Sequence, residues 1–276
     1  MKALRTPDAR VENLPDYDFN ENYIDVNGLR MHYVDEGPTD GAVVLLLHGE
    51  PSWSYLYRFM IPPLRDAGMR VIAPDLIGFG KSDKPTRKSD YSYAGHVAWM
   101  KQFIETLDLG NITLFCQDWG SLIGLRVAAE DERRFARIAL GNGGLPTGDQ
   151  EMPRAFKTWR AFARFSPVFP IGKIIQKATI TELPDDVVAA YDAPFPSSKY
   201  KAGARAFPML VPISPNDPAS DANRAAWKVF SRWQKPFLTT FSNRDPVTRG
   251  LEAPWQQTVP GAKNREHVKI RDAGHF

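Results

Sequence analysis

A chain of 276 residues, 43% hydrophobic and 24% charged, is long enough for one large domain, or for a core with a smaller insertion. Its formal charge of +3 comes from interspersed acids and bases, without the clustered basic footprint of a nucleic-acid binder. The longest apolar run, VVLLL at 43–47, is too short to span a bilayer, no signal-peptide pattern opens the chain, and a lone Cys116 permits no intrachain disulfide, so a reducing cytoplasm is the expected compartment.

Strand and helix signals then alternate. YIDVNGLRMHYVDEG reads as a hairpin turning at Asn27-Gly28. GAVVLLLHGEP and RVIAPDLIGFGKSDKP are two β-rich apolar runs that each end in a turn, and SYLYRFMIPPLRDAG between them holds a short helix stopped near Gly68. In YAGHVAWMKQFIETLDL, Val97, Met100, Phe103, Ile104 and Leu107 have helical spacing. ITLFCQ and RIALGN are further buried strands, and PFLTTFS and HVKIRDA supply two more late in the chain. This alternation predicts an α/β fold with a mostly parallel central sheet and helices on both faces. Ligands of such sheets bind at the C-terminal ends of the strands.

One interval interrupts the pattern. Residues 147–216 contain no convincing strand but many aromatics and prolines, as in FKTWRAFARFSPVFP and FPMLVPISPNDP. So long a stretch is not a loop, and it predicts an inserted helical cap over a core of residues 1–146 and 217–276.

Four loops follow predicted strands and carry polar groups: His48-Gly49-Glu50-Pro51, Asp118-Trp119, Asp245 and His275. In FCQDWGS the strand-to-helix turn that would hold a nucleophilic serine holds Asp118 instead. Nucleophile, acid and histidine in this chain order match the α/β-hydrolase triad. With HGEPSWSYLYR, APDLIGFGKSDKP and FCQDWG, the sequence resembles the haloalkane dehalogenases over nearly its whole length, and within them the subfamily with its acid after the seventh strand. Asn142 stands after the sixth, where it cannot serve as a carboxylate. Family members continue past the histidine into a further helix, so the core segment ending at Phe276 is expected to lack it.

The resemblance implies a mechanism that explains the aspartate. A serine must lose a proton before it attacks, whereas a carboxylate at neutral pH has already lost it and can displace halide from an sp³ carbon. Water activated by His275 would then cleave the alkyl ester on Asp118, with Asp245 stabilising the imidazolium. The backbone N–H groups of Glu50 and Trp119 would form the oxyanion hole. Indole donates one N–H and accepts nothing, which suits an anion in a dry pocket. By resemblance Trp119 and Trp159 hold the halide, and Leu122, Phe207, Pro208, Val211 and Val247 form the pocket wall. The expected partners are a small haloalkane, halide and water; no metal or cofactor is required.

Each residue has a plainer reading. Asp118 alone suits a helix N-cap, Asp245 suits a turn before Pro246, and His275 an ordinary surface position. His48, Asp75 and Asp83 read as loop-fixing residues, and Cys116 as packing. A second carboxyl at Glu50 beside Asp118 should raise one of the two pKa values. The nearest enzymatic rival is an epoxide hydrolase, which needs acidic cap tyrosines; Tyr191 and Tyr200 are the candidates, both in loop-like, polar surroundings. A serine esterase is disfavoured because Ser121 lies three residues past the elbow. A non-catalytic binding protein of the same fold would usually lack part of the triad.

Overall fold

The computed structural model describes residues 1–276. The chain opens with β1 (Ala3–Leu4), then the hairpin β2 (Asn22–Val26) and β3 (Leu29–Glu36), and β4 (Val43–Leu47). Asn27 and Gly28 both have positive φ, the turn geometry that the right-handed twist of a two-residue hairpin favours. Next come α1 (Ile61–Asp66), β5 (Arg70–Pro74), β6 (Lys84–Pro85), α2 (Tyr93–Thr106), β7 (Ile112–Asp118), α3 (Trp119–Glu130) and β8 (Phe135–Gly143). Four helices follow without a strand: α4 (Arg154–Phe165), α5 (Ile171–Ala178), α6 (Asp185–Asp192) and α7 (Ala202–Leu210). The chain closes with α8 (Ser220–Phe230), β9 (Phe237–Ser242), α9 (Glu252–Thr258) and β10 (Val268–Ile270).

Eight strands form one sheet in the order β10-β9-β8-β7-β4-β5-β3-β2. The six from β10 to β5 run parallel, and the hairpin adds two antiparallel strands at one edge. The fully buried Leu45, Leu46 and Leu47 of β4 show why this strand reads as a continuous apolar run: helices cover both its faces. Helix α3 packs on α2 and α8 beside the central strands. The strand order reverses at β4, with β5 on one side and β7 on the other, and the polar loops leave the sheet at the neighbouring ends of β4, β7, β8 and β9.

The N-terminal segment straps the core to the four-helix insertion. β1 pairs with β6, and beyond it Thr6 donates to the Pro194 carbonyl (2.9 Å) while Arg10 donates to the Ala193 carbonyl (2.9 Å), both just past α6. Lys84 Nζ, fully buried, reaches Thr6 Oγ1 (2.9 Å), Gly80 O (2.5 Å) and Ser82 O (3.0 Å), so the strap and the loop below it share one hub.

Candidate active site

Asp118 is the last residue of β7, and α3 begins at the next one. Its backbone, at φ 49° and ψ −125°, lies in a region that non-glycine residues rarely adopt, as a strained strand-to-helix elbow requires. The turn closes only because its neighbours are small. A Cβ on Gly49 would fall 2.3 Å from Asp118 Cβ, and one on Gly120 2.0 Å from the Leu47 carbonyl oxygen.

Three side chains then meet in a line. Asp118 Oδ2 lies 3.3 Å from His275 Nε2, and His275 Nδ1 lies 2.8 Å from Asp245 Oδ2. Asp245 is fully buried and accepts from the Val247 amide (2.8 Å) and the Thr248 hydroxyl. The other Asp118 oxygen, Oδ1, accepts the Glu50 backbone N–H at 2.7 Å. Of the two expected oxyanion donors, only Glu50 bonds to the carboxylate here; the Trp119 amide makes no such contact.

Burial alone would raise the Asp245 pKa, but hydrogen bonds from His275, Thr248 and the Val247 amide outweigh it and hold the carboxyl at about 2. Burial disfavours a charged His275, yet Asp118 and Asp245 on its two nitrogens reverse that and raise it to about 10. Glu50 behaves differently. Desolvation first, and then the charge of Asp118, push its carboxyl well above the usual carboxylate range. The Trp159 indole and His275 oppose this without overcoming it, the indole staying outside hydrogen-bond geometry. The side chain is 5% exposed, and its Oε1 has no hydrogen-bond partner. Burial and the Asp118 charge thus both favour the neutral acid form of Glu50, beside the Asp118 carboxylate.

These groups face a cavity of about 820 Å³ whose lining includes Trp119, Leu122, Trp159, Pro208, Val211 and Val247. Phe207, expected in this wall, stands one layer behind it. Its ring packs on Trp119 (4.4 Å), Phe79 (4.7 Å) and His96 (4.4 Å), because the adjacent Pro208 takes the cavity side of α7. Phe207 and Tyr93 thus fix the Trp119 ring from behind. Trp159 is held by Phe162 (5.7 Å) and Phe169 (5.5 Å). Trp227 also lines the cavity, but its N–H is committed to the Leu145 carbonyl (2.8 Å). Neither Tyr191 nor Tyr200 reaches the cavity. Tyr191 is also not in a polar loop: it lies in α6, buried edge-on against Tyr55 at 5.1 Å, its apolar ring serving the packing.

Sequence reasoning missed the groups that hold the histidine. Asn142, at the end of β8, directs Nδ2 at Ser242 Oγ (2.9 Å), Gly274 O and His275 O (3.1 Å each), while its Oδ1 accepts the Ser242 amide (2.8 Å). Gln117 adds a bond to His275 O (3.1 Å). The Ala178 carbonyl, at the C-terminus of α5, accepts the His275 backbone N–H at 2.8 Å. The signal for Asn142 was its place after a strand, where polar side chains gather. His48 bridges its own loop to the next, accepting the Leu76 amide at 2.9 Å. Asp75 fixes its loop through Ser54, Lys81 and His32, and Asp83 does so through Arg5 and Arg30.

A mainly parallel eight-stranded sheet whose strand-to-helix elbow at Asp118 faces His275 and Asp245 makes this an α/β-hydrolase, and residues 42–276 match the family profile described as alpha/beta hydrolase fold. The chain is 56% identical to a haloalkane dehalogenase of Psychrobacter cryohalolentis, across all of this chain and 93% of that one. It is 57% identical to another from Mycobacterium marinum, across all of this chain and 94% of that one. The solved haloalkane dehalogenase DpaA of Paraglaciecola agarilytica superposes with a TM-score of 0.95 at 38% identity, covering all of this chain and 94% of its own. The chain belongs to the haloalkane dehalogenases, hydrolases that act on carbon–halide bonds.

Proposed function

We propose that Asp118 is the nucleophile of this dehalogenation, His275 the base and Asp245 its acid partner. One observation carries the assignment: the unbroken contact from Asp118 Oδ2 through the imidazole to Asp245 Oδ2. Asp118 attacks the halogenated carbon, the C–X bond breaks with its electron pair leaving on halide, and an alkyl ester remains on the carboxylate. The indole N–H groups of Trp119 and Trp159 receive the halide. Burial, which pushes Glu50 toward its neutral form, disfavours a second negative charge beside the departing anion.

The same step prepares the next. Esterification removes the Asp118 charge, one of the two groups that raise the His275 pKa. The imidazole then releases its proton to solvent and takes one from water, which attacks the ester carbonyl. The acyl C–O bond breaks, the alkoxide takes the remaining hydroxyl proton and leaves as alcohol, and the Asp118 carboxylate is restored beside a protonated His275. The Glu50 amide, already on Asp118 Oδ1, and the Trp119 amide receive the oxyanion. Residues 147–216 act as a cap that brings Trp159, Pro208 and Val211 over the nucleophile and keeps bulk water out, with residues 1–146 and 217–276 as the core. We place the enzyme in the cytoplasm, with a haloalkane, water and halide as its partners; no helix is long and apolar enough to cross a membrane. The epoxide alternative loses support because no cap tyrosine faces Asp118.

The two half-reactions separate in His275→Phe. That variant should release about one bromide per site from 1,3-dibromopropane and then stop. Mass spectrometry should find one alkyl group on the peptide containing Asp118. Continued turnover, or a label elsewhere, would remove both residues from these roles.

A further inference from the structure

The cavity is larger than the bond-breaking step needs. Asp118, Trp119 and Trp159 surround the reacting carbon, yet the space is about 820 Å³, a volume that accommodates drug-sized ligands. Part of its wall is one stripe of α5. Lys173, Ile174, Lys177 and Ala178 all line it, and their spacing puts them on one helix face. The stripe ends at the proposed base, since the Ala178 carbonyl holds the His275 amide. Lys173 lies five residues earlier, about 7.5 Å along the helix axis.

The charge balance of this end is one-sided. Arg244 lines the cavity but pairs with Asp272 (2.8 Å), and Glu151 lines it but pairs with Lys157 (2.5 Å). Lys173 and Lys177 have no carboxylate within ion-pair distance, and both are exposed. Glu50, which also lines the cavity, is pushed toward its neutral form by burial and by Asp118. Two unpaired cations therefore line a mostly apolar cavity, and apolar walls focus such a field on whatever enters.

We propose that Lys173 and Lys177 select substrates by charge, and that the enzyme favours terminal haloalkanes carrying an anionic group at the far end, ω-haloalkanoates being the simplest. The inference rests on Asp118 as nucleophile: the halogenated carbon sits at Asp118 while the distal carboxylate faces the α5 stripe. Bond changes are those of the parent reaction. Asp118 displaces bromide from the terminal carbon, water cleaves the ester, and 6-bromohexanoate yields 6-hydroxyhexanoate, bromide and a proton.

Three bromides of matched length test it: 6-bromohexanoate, neutral 6-bromohexan-1-ol and cationic (6-bromohexyl)trimethylammonium. Bromide release at low ionic strength should give a kcat/KM at least roughly tenfold higher for the anion than for the cation. The ratio should approach one at about 1 M salt, where fields decay within ~3 Å. It should also collapse in the double variant K173Q/K177Q, and persist in K263Q, which removes an exposed lysine outside the cavity. Equal kcat/KM for the three compounds, or a ratio that survives the double substitution, would overturn the proposal while leaving the nucleophile intact. So would turnover of 1,3-dibromopropane with none of the three. Failure on every substrate, 1,3-dibromopropane included, would instead strike the catalytic assignment and take this proposal with it.

Discussion

Two carboxyl groups at one site repel unless one stays neutral or a cation intervenes. Here burial and the Asp118 charge push Glu50 toward its neutral form, and His275 is set against Asp118. Glu50→Gln replaces a neutral acid with a neutral amide of nearly the same shape. It should therefore keep the melting temperature within a few degrees and retain most of kcat. A large loss of stability would mean that the carboxyl is charged in the native state. Asp118→Asn makes the opposite case. The amide fits the elbow and still accepts the Glu50 N–H, so the fold should persist while bromide release falls by at least about a thousandfold, the anionic oxygen being gone. Activity that remains after deamidation has been excluded would disqualify this residue.

At the scale of elements, the histidine loop depends on one amide side chain. Asn142 serves four backbone or hydroxyl partners across β8, β9 and the loop, and is nearly buried itself. Asn142→Leu strands the Ser242 amide without its acceptor, which should cost about 1–3 kcal/mol in urea unfolding. Hydrolysis of the ester should slow more than alkylation in single-turnover kinetics, because only hydrolysis needs His275 in place. Equal slowing of both steps would make Asn142 a general stabiliser and nothing more. This dependence explains what the sequence revealed and what it hid. The strands were legible because parallel sheets demand continuous apolar runs, and the positions of Asp118, Asp245 and His275 because Asp118 ends one strand and the other two lie in loops that follow one. Phe207 was misplaced because the resemblance places the pocket wall only to within a residue or so of a cap helix, and here the adjacent Pro208 takes the cavity side. Tyr191 was misread because its polar neighbours in sequence are not its neighbours in the fold. The neutral state of Glu50 and the hold of Ala178 on His275 come from contacts between segments far apart in the chain, and no local pattern encodes these.

Over the whole molecule, protonation and cap position are linked. A group whose folded pKa is raised adds stability below its unfolded pKa, and that stability is lost as pH rises through the folded value. For His275 the window runs from about 6.5 to about 10. Buried Lys84, pushed down to about 7, acts in the opposite sense, so the wild-type profile mixes the two. The difference in urea stability between wild type and His275→Phe isolates the histidine; it should be largest near pH 6 and shrink toward pH 10. A difference that stays constant with pH would refute the raised pKa. Among the contacts that fasten the cap are the N-terminal strap at Ala193 and Pro194 and the Ala178 carbonyl on the His275 amide. Bromide bound between Trp119 and Trp159 should hold the cap down, so the His275 amide should exchange with deuterium more slowly in its presence; unchanged exchange would separate the two events. If the strap is the hinge, the hold of Ala178 on His275 is a latch, and the part it grips is the proposed base itself. Lifting the lid to admit substrate or release product would then pull on the residue that activates water. The enzyme would carry a safety interlock, with ester cleavage engaged only while the door is shut.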